Sequence, residues 1–222
     1  MLESLEVIKS SLPYLLQGGL LTVGIVLGAM FLGLFVGLAI AVGLVYGSPR
    51  LQPLLRFYVW LFRGLPILVL LFLFYFGLFN YLGLNLSAFI SVILILGMVT
   101  GAYQAVIFRG AMLSLPQGQF KAASALGMSD SRAIVTIILP QVLRISIPAW
   151  SNEFSIVLKD SALAFVIGAP EIMGRAQFIA SRTYQHLAIY ITAGIIYCVL
   201  TWIGVKALSK LEQRVRIPGY SC

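Results

Sequence analysis

The 222 residues are 60% hydrophobic and only 10% charged, which excludes an ordinary soluble domain and points to an integral membrane protein. The formal charge is +8, but the basic residues gather in particular loops, as membrane topology requires, and not in a nucleic-acid-binding patch. Cys198 and Cys222 have neither disulfide nor metal-ligand spacing, and the lone His186 adds no ligand. Glu3 and Glu6 precede Lys9, so Met1–Ser10 lacks the positive start of a signal peptide.

No charge occurs between Lys9 and Arg50, or between Arg63 and Arg109. A bilayer is crossed by about 20 apolar residues, so both gaps hold membrane spans. The first apolar run is Leu12–Val45. Its small residues recur in four-residue steps, at Gly24 and Gly28, at Gly33, Gly37 and Ala41, and at Gly43 and Gly47. Such steps share a helix face, read either as close helix packing or as a substrate lining. A second span is expected over about Phe57–Phe79, with Pro66 in its first turns and Arg63 snorkelling to the near interface. Gly83, Asn85 and Ser87 supply turn chemistry to the uncharged break that follows. The third span, about Ala88–Phe108, ends at Arg109.

Pro116 breaks that helix and opens a polar loop, 116–132. The fourth span begins near Ala133, carries Pro140 and Pro148, and then meets Asn152, Glu153, Lys159 and Asp160. Ala162–Ala169 is apolar but too short to cross, so 160–186 is expected as an extracytoplasmic loop with a re-entrant or surface-lying piece. The last span is about Leu187–Val205, before a basic tail. Five spans put the termini on opposite sides. One side collects Arg50, Arg56, Arg63, Arg109, Lys121, Arg132, Arg144, Lys206, Lys210, Arg214 and Arg216, eleven in all; the other collects only four, Lys9, Lys159, Arg175 and Arg182. The positive-inside rule then sets the N-terminus out and the C-terminus in, with 116–132 in the cytoplasm.

Gly118–Gln141 is a moderately polar interval that ends at Pro140, with small residues in its middle, where a short helix with a small, flat face would let another protein approach its backbone. It resembles the EAA loop by which ABC-importer permeases dock on an ATPase subunit. Ala122, Ala123, Gly127, Ile137, Leu139 and Pro140 fit that pattern, whereas Lys121 stands where the family has Glu. Four further stretches resemble the branch that serves polar amino acids. Arg63-Gly64-Leu65-Pro66 is similar to its RGTPLLVQL element, and Ala102-Tyr103 through Arg109-Gly110 to AYxxEIxRG, with Val106 in place of Glu. Asn152-Glu153-Phe154 with Leu158-Lys159-Asp160-Ser161 resembles NxFxxLxKD(T/S), and Val166-Ile167-Gly168 with Pro170-Glu171 resembles VIGxPEL.

The resemblance implies an all-α type I importer subunit, a single permease domain over 1–222 in the bacterial cytoplasmic (inner) membrane. Two permease copies, identical or paralogous, would pair around a central path in the lipid bilayer. Two ATPase subunits would hold ATP and Mg below, and a substrate-binding protein would dock above. ATPase coupling would then involve Lys121, Ala122, Ala123, Gly127 and Pro140. A plain amphipathic connector, with Lys121 as a solvated lysine, is the alternative.

No Gly-x-x-x-x-Gly-Lys-Ser/Thr occurs, so the chain is not expected to hydrolyse ATP, to bind a cofactor or metal, or to bind nucleic acid. An ion-coupled secondary transporter is the rival reading, although no internal hydropathy repeat is visible. Charges at membrane depth usually face a cavity or one another. Asn152, Glu153, Lys159, Asp160 and Ser161 are therefore candidates for the substrate path. Glu153 and Asp160 lie two helical turns apart and share a face, suited to an ammonium, with Lys159 suited to a carboxylate. Alternatively, Lys159 and Asp160 only end the span.

Overall fold

The computed structural model describes residues 2–116 and 118–215, so Cys222, Arg216 and the side chain of Glu3 lie outside the described residues. Every regular element among the described residues is helical. In order they are α1 (Leu2–Tyr46), α2 (Leu51–Gly64), α3 (Ile67–Phe79), α4 (Ala88–Ser114), α5 (Gly118–Ala125), α6 (Asp130–Ile145) and α7 (Ile147–Asp160). A 3-10 segment, Ser161–Ile167, leads to α8 (Ile172–Thr183) and α9 (His186–Val215). Within the described residues α1, α4 and α9 are each long and apolar enough to cross a membrane; α2 with α3 and α6 with α7 qualify only as bent pairs, at 106° and 59°, giving up to five spans.

Those bends correct the sequence reading. The span expected as one piece over Phe57–Phe79 is broken. Proline lacks an N–H and pushes the residue before it out of the helical region. Leu65 is accordingly extended, at φ −97° and ψ 140°, and α2 stops at Gly64. Pro66 stands before the first residue of α3 and not inside its first turns. Pro140, by contrast, lies inside the fourth span as its sequence position predicts, because α6 runs through it. The turn just before it, Ile134–Ile138, widens to a π-helix, with the Leu139 N–H reaching back to the Ile134 carbonyl. Gln141 Nε2 donates to the Ile137 carbonyl at 2.8 Å and Thr136 Oγ1 to the Arg132 carbonyl at 2.6 Å, so side chains bond carbonyls in the altered turns.

The glycine steps of α1 are packing surfaces. A Cβ on Gly24 would meet Phe89 at 3.2 Å, and one on Gly28 would meet Ile93 at 3.0 Å. Gly33 and Gly37 face Thr100, Gly101 and Gln104, so α1 and α4 approach almost backbone to backbone, as small residues allow in lipid. Ala41, one step further, is fully buried. Gly97 and Gly101 of α4 answer from the other side, against Leu32 and Val36.

The short apolar piece after α7 lies inside the bundle and not on its surface. Ser161, Ala164 and Ile167 are buried, and the segment packs on α1, α3, α4 and α8. Gly168 closes it in the left-handed region, at φ 84°. The stretch after it, read as a polar loop, contains a full helix, α8. Glu171 starts that helix by accepting from the backbone N–H groups of Met173 and Gly174, at 2.9 and 2.7 Å.

Candidate functional site

One end of the bundle presents α5. Two contacts, a ring stack and a pair of hydrogen bonds, hold it there. Phe120 stacks on Tyr46, the last residue of α1, with ring centroids 5.4 Å apart and planes 17° from parallel. Gln119 and Gln141 exchange amide hydrogen bonds at 3.1 and 2.8 Å, tying α5 to α6. Ala123 is buried beneath the helix, while Lys121, Ala122 and Leu126 are exposed, Leu126 by 83%. The outer face is therefore small at Ala122 and apolar at Leu126.

Gly127 ends α5 in a Schellman motif. Met128 N–H bonds the Ala123 carbonyl at 3.1 Å, Gly127 N–H bonds the Ser124 carbonyl at 3.0 Å, and Gly127 sits at φ 77°. A Cβ there would meet nothing within 4 Å, so the demand for glycine comes from the backbone and not from space within the chain. Gly127→Ala is expected to destabilise the end of α5 by about 1 kcal/mol, and Gly127→Asn by less, since Asn tolerates the left-handed region. Hydrogen exchange of the α5 amides checks the order; equal exchange in both variants would contradict it.

The interior holds a polar chain across α1, α4 and α7. Glu153 is buried, and Thr100 Oγ1 donates to its Oε1 at 2.8 Å. Gln104 Nε2 donates to Thr100 Oγ1 at 3.3 Å and to the Met30 carbonyl at 3.2 Å. Trp150 Nε1 donates to Gln104 Oε1 at 2.7 Å. The other candidates disperse. Lys159 is exposed in a groove against α9, beside Tyr197, Cys198 and Lys206. Asn152 is exposed, Asp160 half-buried, and Ser161 buried with its hydroxyl donating to the Leu158 carbonyl at 2.7 Å. Lys159 thus does not join the buried carboxylate of Glu153 in one pocket.

At the opposite end from α5, Glu171 forms a second buried node. Besides its two backbone donors it accepts from the Tyr197 hydroxyl of α9, and Thr22 Oγ1 of α1 accepts from the Ile172 N–H at 3.3 Å. Arg175 braces α8 on α1, donating to the Tyr14 carbonyl at 2.9 Å and to Gln17 at 3.0 Å.

Residues 33–217 match the family described as the binding-protein-dependent transport system inner membrane component. The chain belongs to this family. A probable amino-acid ABC transporter permease protein of Bacillus subtilis, YckA, is 35% identical over 204 residues, covering 92% of this chain and 90% of the relative. The arginine ABC transporter permease protein ArtQ of Haemophilus influenzae is 32% identical over 212 residues, covering 91% and 94%. The crystal structure of an amino acid ABC transporter with histidines is similar at a TM-score of 0.82 and 34% identity, covering 95% of this chain and 97% of that one. The chain is thus a multi-pass membrane subunit of a transport system, and the ion-coupled carrier finds no support.

Within this permease family member, the sequence reading found Glu153 but not its partners. Thr100, Gln104 and Trp150 carry no charge and lie within largely apolar helices. The usable signal was the four-residue step from Thr100 to Gln104, which puts two hydrogen-bonding side chains on one face of a membrane helix. Thr22 and Tyr197, the partners around Glu171, are likewise uncharged residues within apolar runs.

Proposed function

We propose that this chain is the permease subunit of an ATP-driven ABC importer for polar amino acids. It pairs with an identical or paralogous copy around the translocation path, in the bacterial inner membrane. Two partner ATPase subunits hold the ATP and Mg, and an extracytoplasmic binding protein delivers the solute; this chain binds no cofactor of its own. Likeness over nine-tenths of the chain to amino-acid ABC permeases supports the class. The observation that carries the coupling step is α5, anchored on α1 and α6 with Lys121, Ala122 and Leu126 turned outward. A helix anchored in this way moves with the spans. Pressure on it from an ATPase tilts α1 and α6 together and opens the path to the other face.

The reconstituted complex is expected to take up a polar amino acid only with ATP inside and binding protein outside. Uptake driven by an ion gradient without ATP would overturn the proposal. Orientation follows the charge count, N-terminus out and C-terminus in. With Cys198 and Cys222 replaced, single cysteines at Lys9 and Arg182 should react with an impermeant thiol reagent from outside, and those at Ser129 and Lys210 should not. The reverse pattern would remove α5 from the ATPase side. Gly127→Trp should leave the protein in the membrane but lose ATPase association, since a bulky side chain holds the partner's surface away.

Glu153 lines the translocation path and contacts the solute, a reading supported by its position as a buried acid at membrane depth, bonded to Thr100 of α4. Asn152, Lys159, Asp160 and Ser161 lie on the same helix and its continuation but apart from its carboxylate, with Lys159 in the groove against α9. Glu153→Gln is expected to change the preference among cationic, neutral and acidic amino acids, with the binding protein and ATPase unchanged. Unchanged rates and preference would leave Glu153 as a packing residue.

A further inference from the structure

α2 lies crosswise to α3, at the level of Tyr103 to Arg109 on α4. It has three distinct sides. Leu55, Tyr58 and Phe62 face the bundle, where the Tyr58 hydroxyl donates to the Met98 carbonyl at 2.8 Å. Leu54, Phe57 and Trp60 form an exposed apolar flank, open by 65%, 55% and 66%. On its third side, between α2 and α4, runs a cleft whose lining includes Arg56, Arg63 and Arg109, with Tyr103 and Trp60 on its walls and Val106 between Tyr103 and Arg109 on its α4 side. No carboxylate of the described residues lines it. Arg63 rests over the Tyr103 ring at 5.0 Å, and Arg56 donates to Gln52 at 3.1 Å, so both guanidinium groups keep free donors toward the cleft.

We propose that this cleft seats the phosphate of an anionic phospholipid, with α2 lying in the headgroup layer of the leaflet at the α5 end. Guanidinium groups match phosphate oxygens in pairs, and a helix with a basic side, an apolar side and a tryptophan is suited to the membrane interface. An inorganic phosphate would satisfy the arginines but leave Leu54, Phe57 and Trp60 uncovered. A lipid covers both with one molecule. Val106 is the decisive position, because a carboxylate there would neutralise the cleft from within. The orientation proposed above decides only which leaflet is meant, and a lipid-preference measurement in detergent does not depend on it.

The test is native mass spectrometry of the full chain in mild detergent, titrated with phosphatidylglycerol or phosphatidylcholine of the same acyl chains. The wild type should retain one phosphatidylglycerol at about tenfold lower lipid concentration, as several basic side chains at one site provide. The triple variant Arg56→Gln, Arg63→Gln, Arg109→Gln should lose that preference. Val106→Glu should lose it too while keeping every cation, which guards against misfolding of the triple variant. Arg175→Gln with Arg182→Gln should keep it. Equal retention of both lipids by the wild type, or an unchanged preference in the cleft variants, overturns the assignment. Displacement of the lipid by millimolar inorganic phosphate makes the cleft a free-anion site, and loss of self-association without loss of lipid makes it a contact between copies; either result also overturns it.

Discussion

Gly37→Val is expected to prevent assembly of the bundle, with little monodisperse protein recovered in detergent. A Cβ at Gly37 would stand 3.0 Å from the Ala105 nitrogen, 3.1 Å from the Gly101 oxygen and 2.8 Å from Gln104 Cβ. Two of those three atoms are backbone and have no rotamer to escape into. The crossing of α1 and α4 must then open along its length, and overpacking of this kind costs about 1–3 kcal/mol or more. The damage spreads, because Gly33 one turn away faces Thr100 and Gln104, at 2.5 and 2.7 Å from its own would-be Cβ. Gly194→Ala is the matched control. Its Cβ would meet nothing within 4 Å, so alanine should be neutral or raise stability by up to about 1 kcal/mol through helix propensity. Thermal unfolding of both variants in one detergent distinguishes them; similar melting would mean that the α1–α4 contact is not close in the folded protein.

The second large effect is expected at Glu171. Its carboxylate has three donors aimed at it, from Met173, Gly174 and Tyr197, and the residue is fully buried. Glu171→Ala leaves those donors without a partner in a dry site and should cost about 3–5 kcal/mol, the scale for breaking a buried polar cluster from one side. Glu171→Gln keeps the shape but turns an N–H₂ toward at least one donor, so it should fall between wild type and alanine. Tyr197→Phe removes one donor and leaves the cap intact, at about 1 kcal/mol. The order Ala, Gln, Phe in loss of melting temperature is the check. A Phe variant as damaged as the Ala variant would shift the weight from the cap to the α9 contact.

The two predictions also mark what was legible in the sequence. The four-residue step at Gly33, Gly37 and Ala41 is visible in one dimension, and so is the packing that it permits. The answering pair, Gly97 and Gly101, becomes meaningful only once α4 is known to lie against α1. Glu171 could be quoted as part of a motif, yet its function as a helix cap needed α8, which a polar composition concealed. Of two prolines expected inside spans, Pro140 lies inside a helix and Pro66 does not. Pro66 breaks the chain because Leu65 is free to go extended, whereas Pro140 is absorbed because the turn before it widens. The candidate polar residues of α7 suffered similarly. Counting residues along a helix placed Glu153 and Asp160 on one side, but only the neighbouring helices decide that Glu153 is buried and Lys159 opens toward α9.

The way α5 is held has a mechanical consequence. A body pinned at one point can be pushed, but it swivels. A body pinned at two separated points resists rotation as well. The ring stack of Phe120 on Tyr46 and the paired amides of Gln119 and Gln141 are two such pins, on α1 and on α6. A sideways load on α5 therefore reaches the spans as torque as well as thrust. Cutting one pin, by Gln141→Ala or Phe120→Ala, leaves a swivel that still bears the load but no longer turns the helices above it.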